Sequence, residues 1–189
     1  MEWYTAAERF TEALASSDPT PGGGAAAAQT GAMGCALLLM AIGTTLKRKD
    51  LDVVQKKQLE TSAKRLGSLK NQLKGYVQQD AQAYAGYITA KRLAKDDPSR
   101  EQALESALEQ AARVPADTAS AALQTLKELD QIKDSISPII LADVACAKHL
   151  LQTAIRCAVE NIQANQKFIH NEKTLEKLDK QIKLFLKSC

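Results

Sequence analysis

From Gly22 to Leu46 the chain carries no charged side chain. That stretch is long enough to span a bilayer, yet its first half is Ala, Gly, Gln and Thr, and only Leu37 to Met40 is strongly apolar. A helix enclosed by other helices in a soluble protein fits this composition better, so no membrane partner is expected. The stretch opens on Thr20-Pro21-Gly22-Gly23-Gly24, which reads as a turn. Ala27, Gly31 and Gly34 then recur at a spacing that lets a second helix backbone approach closely, a steric logic that holds outside membranes too.

The rest of the chain is helical in pattern. Alternating β-branched runs and Asn-Gly or Asp-Gly turns are missing, so strands are not expected. Thr5-Ala-Ala-Glu8 resembles a capping box opening a short first helix that stops before Ser16. A long helix is expected from about Asp52 to Leu93, with Leu59, Ala63, Leu66, Leu73, Val77, Tyr84 and Tyr87 as a core-facing stripe. Asp97-Pro98 and Ser137-Pro138 each read as a cap followed by a first-turn proline, and Pro115 should kink or break the helix between them. A last amphipathic helix carries Leu175, Leu178, Ile182 and Phe185. Long helices with short connections predict an all-α, up-and-down bundle, a single domain over residues 1–189.

Composition removes several function classes. The net charge of +3 and 4% aromatic residues give neither the basic footprint nor the stacking platforms of a nucleic-acid binder. Cys35, Cys146, Cys157 and Cys189 lie far apart, and with only His149 and His170 they form no structural zinc spacing; buried thiols in a reducing compartment are expected. The first sixteen residues include Glu2, Glu8 and Glu12 and lack a basic segment, so no signal peptide is expected and the protein is placed in the cytoplasm. Lys177, Lys180, Lys183 and Lys187 read as a solvated helix face.

Polar residues inside apolar stripes carry the chemistry. Asp80 falls three residues after Val77 and four before Tyr84, on the packed side of its helix. Asp143 lies between Ile139 or Ile140 and Ala147, Leu150 and Ala154. A carboxylate in such a place finds donors, takes up a proton or faces a cleft, and an interhelical polar network is the plainer alternative for each. Asn161 and Asn165 are one turn apart on the face of Asp143, but Asn161 is ~27 Å from it along a straight helix. They therefore serve different ends of a long ligand, different subunits, or simple interhelical hydrogen bonds. Gly22, Gly23 and Gly24 at a helix start offer unpaired N–H groups to an anion or oxyanion. His149 and Cys146 read as core residues, and no nucleophile–base pair is present.

Pro21-Gly22-Gly23-Gly24-Ala25-Ala26-Ala27 resembles the opening motif of the formiminotransferase-cyclodeaminase / methenyltetrahydrofolate cyclohydrolase family. The resemblance extends from about Phe10 to Asn165. It takes in Met40-Ala-Ile-Gly43, Asp80-Ala-Gln-Ala-Tyr84 with Ala90-Lys91-Arg92-Leu93, Ala111-Ala112-Arg113-Val114-Pro115, Asp143, and Asn161-Ile-Gln-Ala-Asn165. The chain departs from the pattern at Ala25 and Ala142, where the family has Ser, and at Gln78, where an acid is common. Thr44 and Thr45 replace a basic pair, with Lys47, Arg48 and Lys49 slightly later.

The resemblance implies a dimeric helical bundle acting on a reduced folate. The implied reaction is hydrolysis of 5,10-methenyltetrahydrofolate to 10-formyltetrahydrofolate, or release of ammonia from 5-formiminotetrahydrofolate, without a metal or redox cofactor. Cyclohydrolase is the first expectation, because no formiminotransferase segment accompanies the chain; a folate binder without catalysis is the third reading. Asp80 or Asp143 would be the base, and the Gly22 to Gly24 amides would hold substrate oxygens. Tyr84, Asn161 and Asn165 would line the substrate site, and Lys47 and Arg48 would meet the glutamate tail.

Overall fold

The computed structural model describes residues 2–189. Its elements are helices α1 (Glu2–Ala15), α2 (Gly23–Thr45), α3 (Val53–Lys91), α4 (Arg100–Ile132), α5 (Leu141–Gln166) and α6 (Glu172–Lys187), with short 3-10 turns at Lys133–Ser135 and Pro138–Ile140. Among the described residues there is no strand. Helices α2, α3, α4 and α5 form a closed square in which each neighbour runs antiparallel to the last. The up-and-down bundle expected from the sequence is therefore present. Helix α6 lies outside on α5 and α4.

The chemistry of α2 explains its central position. Gly24, Ala25, Ala27, Ala28, Gly31, Ala32 and Gly34 are all buried, and the helix packs on three others. A Cβ at Gly34 would stand 2.9 Å from Leu151 Cγ and 3.0 Å from the Ala147 carbonyl of α5. Only a glycine admits α5 that closely. By length and apolar content α2 and the segment Pro138–Gln166 could each cross a membrane, but α2 is the core helix of this bundle. Around it Leu38, Ile42, Leu59, Leu66, Leu73, Leu151, Ile155 and Ile162 are fully buried. Each contributes roughly 1.5–3 kcal/mol of apolar transfer.

Local signals were displaced in three places. Thr5 lies inside α1, which begins at Glu2, so Thr5 to Glu8 is no capping box. Asp97 accepts from Ser99 N–H and Oγ at 2.8 and 2.7 Å, a turn that precedes α4 without capping it. After Ser137-Pro138 the chain makes a 3-10 turn first, and α5 starts at Leu141. Pro115 does not break its helix: α4 is continuous through it. The cysteines also differ from expectation, since only Cys35 is buried while Cys146 and Cys157 are exposed. The Cys35 thiol donates to the Leu66 carbonyl, and burial pushes it up to about 11. His149 is exposed as well.

One mismatch of lengths creates the site. Helix α2 begins at Gly23, opposite Asp80 of α3 and Asn161 of α5. From Asp80, α3 continues to Lys91, about 16 Å further. The space that a longer α2 would fill is left open above its N-terminus.

Candidate active site

A cavity of about 300 Å³ occupies that space. Its floor is Gly22, Gly23 and Gly24; Asp80, Tyr84 and Tyr87 line it from α3, Leu108 and Ala111 from α4, and Asn161 and Asn165 from α5. Phe168, just beyond α5, stands at its edge.

The glycine turn is shaped by two side chains. A Cβ at Gly24 would overlap Asp80 Oδ1 and stand 2.7 Å from its Cγ. A Cβ at Gly23 would stand 3.2 Å from Asn161 Nδ2. Helix α2 has no side-chain cap of its own, because Gly22 precedes it. Asp80 supplies the missing acceptor: Ala25 N–H donates to its Oδ2 at 2.9 Å. The N–H groups of Gly23 and Gly24 have no acceptor among the described residues and sit at the positive end of the helix dipole.

Asp80 is half-buried, and its Oδ1 receives no donor among the described residues. Burial pushes its carboxyl above its ordinary value, and the Ala25 N–H offsets part of that rise. Among the cavity-lining residues it is the one formal charge; Lys, Arg and His are missing from the lining. The cavity thus favours a cationic guest with oxygens at one end, where the free amides lie.

Asn165 is placed by a proline. An α-helical N–H at position 115 would donate to the Ala111 carbonyl, four residues back, and Pro115 has none. Asn165 Nδ2 donates to that carbonyl instead, at 3.0 Å, and also to Asn161 O at 3.0 Å. This ties α5 to α4 at the cavity wall and leaves the Asn165 carbonyl oxygen without a protein donor. Asn161 Nδ2 donates to the Cys157 carbonyl of its own helix.

The pattern of the formiminotransferase-cyclodeaminase family matches residues 6–184. The chain belongs to that family. It is 28% identical over 182 residues to a methenyltetrahydrofolate cyclohydrolase of Methylorubrum extorquens, covering 93% of this chain and 86% of the relative. It is also 28% identical over 193 residues to the formimidoyltransferase-cyclodeaminase of Mus musculus, covering 98% of this chain but only 35% of that longer protein. A formiminotetrahydrofolate cyclodeaminase structure from Thermotoga maritima has the same fold, with a TM-score of 0.86 and 24% identity over 96% of this chain and 88% of that one.

Within this family member the structure divides the candidate residues in two. Gly22, Gly23, Gly24, Asp80, Tyr84, Asn161 and Asn165 converge on the cavity. Asp143, Lys47 and Arg48 do not line it. Asp143 is in the first turn of α5, about 27 Å from Asn161, where a carboxylate suits the helix dipole. Lys47 and Arg48 follow the far end of α2, about 33 Å from Gly23, and Arg48 is paired with Asp50. All three belong to the opposite end of the bundle. Two departures from the family pattern also lie outside the cavity lining: Gln78 and Ala142 are exposed. Another departure, Ala25, is fully buried and contributes its backbone N–H to Asp80, which a serine would do equally.

Tyr87, Leu108, Ala111 and Phe168 are wall residues that the sequence patterns did not single out as site residues. For Ala111 a signal existed, namely its position four residues before a mid-helix proline.

Proposed function

We propose that this chain hydrolyses 5,10-methenyltetrahydrofolate to 10-formyltetrahydrofolate, with Asp80 as the base. The observation that carries this reading is a lone half-buried carboxylate, raised above its ordinary value, beside two unpartnered helix N-terminal amides. The methenyl group is a cationic electrophile, so a cavity whose one charge is negative suits it. The oxygen of a water held by Asp80 bonds to the methenyl carbon while one proton passes to the carboxylate. The bond from that carbon to N5 then breaks with its electron pair going to N5, which takes the proton back from Asp80. The second water proton leaves to solvent as the formyl carbonyl forms. The Gly23 and Gly24 amides would hold the developing oxygen or a pterin oxygen.

The chemistry uses no metal or redox cofactor, because the substrate carries its own electrophile. The near end-to-end match with the Methylorubrum cyclohydrolase supports this reading. The alternative, cyclodeamination of 5-formiminotetrahydrofolate, is supported by the mouse and Thermotoga relatives and needs the same carboxylate. A cytoplasmic setting suits a freely diffusing folate, and neither nucleic acid nor membrane is part of the proposal.

Self-association belongs to the same reading. Helix α2 keeps one uncharged exposed side, with Met33 at 50% and Met40 at 38% exposure in line with Ala36 and Gly43. A neutral stripe of this kind matches itself across a two-fold axis, and a homodimer follows. Light scattering of the purified protein should give twice the chain mass, and Met33→Glu with Met40→Glu should halve it; a monomeric parent chain would remove the dimer.

The activity is tested by following loss of the methenyl chromophore against its spontaneous decay. Acceleration that vanishes in Asp80→Asn supports the cyclohydrolase. Ammonia released from the formimino substrate, with no acceleration of methenyl loss, replaces it by the cyclodeaminase. Binding with neither reaction makes the protein a folate carrier.

A further inference from the structure

We propose that Glu105 is a positioning residue for the site: by holding two backbone N–H groups of the α5–α6 connection it fixes Phe168 at the cavity edge, where the ring covers one face of the bound substrate. The identity of that substrate rests on the folate reading above; the fixing of Phe168 does not.

Helix α5 ends at Gln166 and α6 starts at Glu172, so Lys167 to Asn171 is a short strap between them. Within it Phe168 N–H donates to the Asn165 carbonyl at 3.1 Å and Ile169 N–H to the Gln166 carbonyl at 3.2 Å. Ile169 turns inward and is buried in the core, which leaves its neighbour Phe168 facing out, 61% exposed, at the edge of the cavity. A single exposed apolar ring is ordinary on a protein surface. What sets Phe168 apart is that the strap is tied down on both sides of it.

Both ties go to α4. Before Phe168, Asn165 Nδ2 donates to the Ala111 carbonyl at 3.0 Å. After it, the N–H groups of His170 and Asn171 donate to Glu105 Oε1 at 2.9 and 2.8 Å. The anchors on α4 are about 9 Å apart along its axis, and Leu108 lies midway between them. Phe168 lies midway between the ties on the strap, and both Leu108 and Phe168 line the cavity. The strap therefore runs back along α4 with its aromatic residue level with the wall.

Glu105 is built for this task. Burial would raise its carboxyl, but the Asn171 and His170 N–H groups outweigh that and hold it below its ordinary value. It is thus ionised, and its bonds to the strap are the strong, charge-assisted kind. The His170 ring, 3.3 Å from the other carboxylate oxygen, is 89% exposed, so the backbone bonds are the ones that set the strap. Asn171 then caps α6, its side chain accepting from Thr174 N–H at 3.3 Å. A separate contact, Thr174 Oγ1 donating to Glu109 Oε1 at 2.7 Å, also joins α6 to α4, but neither residue lines the cavity.

The test measures kcat and KM for the methenyl substrate in the parent chain and five variants; if turnover is absent, dissociation constants of the same compound replace KM. Phe168→Ala should raise KM about fivefold or more and leave kcat within about threefold, because it removes a contact made alike in the ground and transition states. Glu105→Ala should reproduce that split. Glu105→Gln, which keeps an acceptor oxygen for both N–H groups, should stay within about twofold of the parent. Glu105→Ala with Phe168→Ala should be no worse than Phe168→Ala alone, since the first change acts through the second. Thr174→Val loosens α6 on α4 without touching the strap and should leave KM unchanged. An unchanged KM in Glu105→Ala, effects that multiply in the double variant, or an equal rise in Thr174→Val each overturns the positioning role. Amide hydrogen exchange without ligand gives a second readout: His170 and Asn171 should be protected in the parent and Glu105→Gln chains and exposed in Glu105→Ala. Equal exchange in all three overturns the clamp whatever the protein binds. A parent chain that neither binds nor turns over the methenyl compound overturns the folate reading and the substrate contact with it, while the exchange measurement still decides the clamp.

Discussion

The two ends of the four-helix square handle buried polar groups in opposite ways. At the end where α2 finishes, Thr45 is fully buried, donates to the Ala41 carbonyl and accepts from Ser137 N–H at 3.0 Å. Ile42, Ile132 and Ile136 are buried as well. The Thr45 hydroxyl both donates and accepts inside the protein, and the end is sealed. Where α2 starts, two helix amides, one carboxylate oxygen and two side-chain amide oxygens have no partner among the described residues around an open cavity. The same square of helices is thus finished at one end and left unfinished at the other. The unfinished end is where chemistry can be done.

The largest expected effect breaks this contrast at its two aspartates. Asp80→Asn should lower kcat by about 10²–10⁴-fold, the usual worth of a general base. Asp143→Asn should stay within about twofold in the same assay, since it removes only a half-buried charge in the first turn of α5, outside the cavity lining. An equal loss in both would show that the far end completes the site, as a partner subunit could arrange.

Glycines sharpen the comparison next. Gly24→Ala places a methyl against the Asp80 carboxylate and should cost about 1–3 kcal/mol of stability together with most activity. Gly43→Ala, at the sealed end with nothing within 4 Å, should instead add up to about 1 kcal/mol by helix propensity. Thermal unfolding of the two variants reads both signs.

Two hydrogen-bond deletions of similar size should part company in function. Thr45→Val strands the Ser137 N–H, and Asn165→Ala strands the Ala111 carbonyl; each should cost about 1–3 kcal/mol in chemical denaturation. Only Asn165→Ala should alter KM. Pro115→Ala restores an N–H four residues beyond Ala111, so it should recover part of the stability lost in Asn165→Ala.

The smallest effect is in pH. A carboxyl raised by burial binds its proton more tightly in the folded chain than in the unfolded one. Its contribution to stability is therefore full below the ordinary carboxyl range and lost as pH rises through the raised value. Activity runs the other way, because the base must be ionised, and kcat/KM should fall on the acid side at a pH above that ordinary range. Asp80→Asn should flatten the stability trend.

Much of this was legible in the residues. Threes-and-fours spacing located the long helices, and the glycine turn, Asp80, Tyr84, Asn161 and Asn165 were all singled out before their convergence was visible. Asp143 was misplaced for a definite reason. Its phase was set partly by Ile139 and Ile140, which belong to a 3-10 turn advancing about 120° per residue, so they do not continue the face of α5. Ile139 is in fact 83% exposed. The capping signal at Asp97 erred by two residues because its side-chain bonds to Ser99 form a turn that precedes α4. The link from Pro115 through Ala111 to Asn165 was illegible, since sequence shows a missing donor but not which distant side chain replaces it. Lys47 and Arg48 were judged by proximity to a motif, and the length of α2 carries them to the other end.

The short start of α2 has a consequence for how the protein comes into being. Gly24, Asp80, Ala111 and Asn165 are separated by most of the chain, and no two neighbouring helices alone enclose the cavity. A growing chain therefore has no partial site to offer until α5 has closed the square. An occupant recognises the completed fold and nothing earlier. At a hundred times its dissociation constant it adds about 2.7 kcal/mol against global unfolding. Metabolite supply would then set the lifetime of the protein as well as its workload.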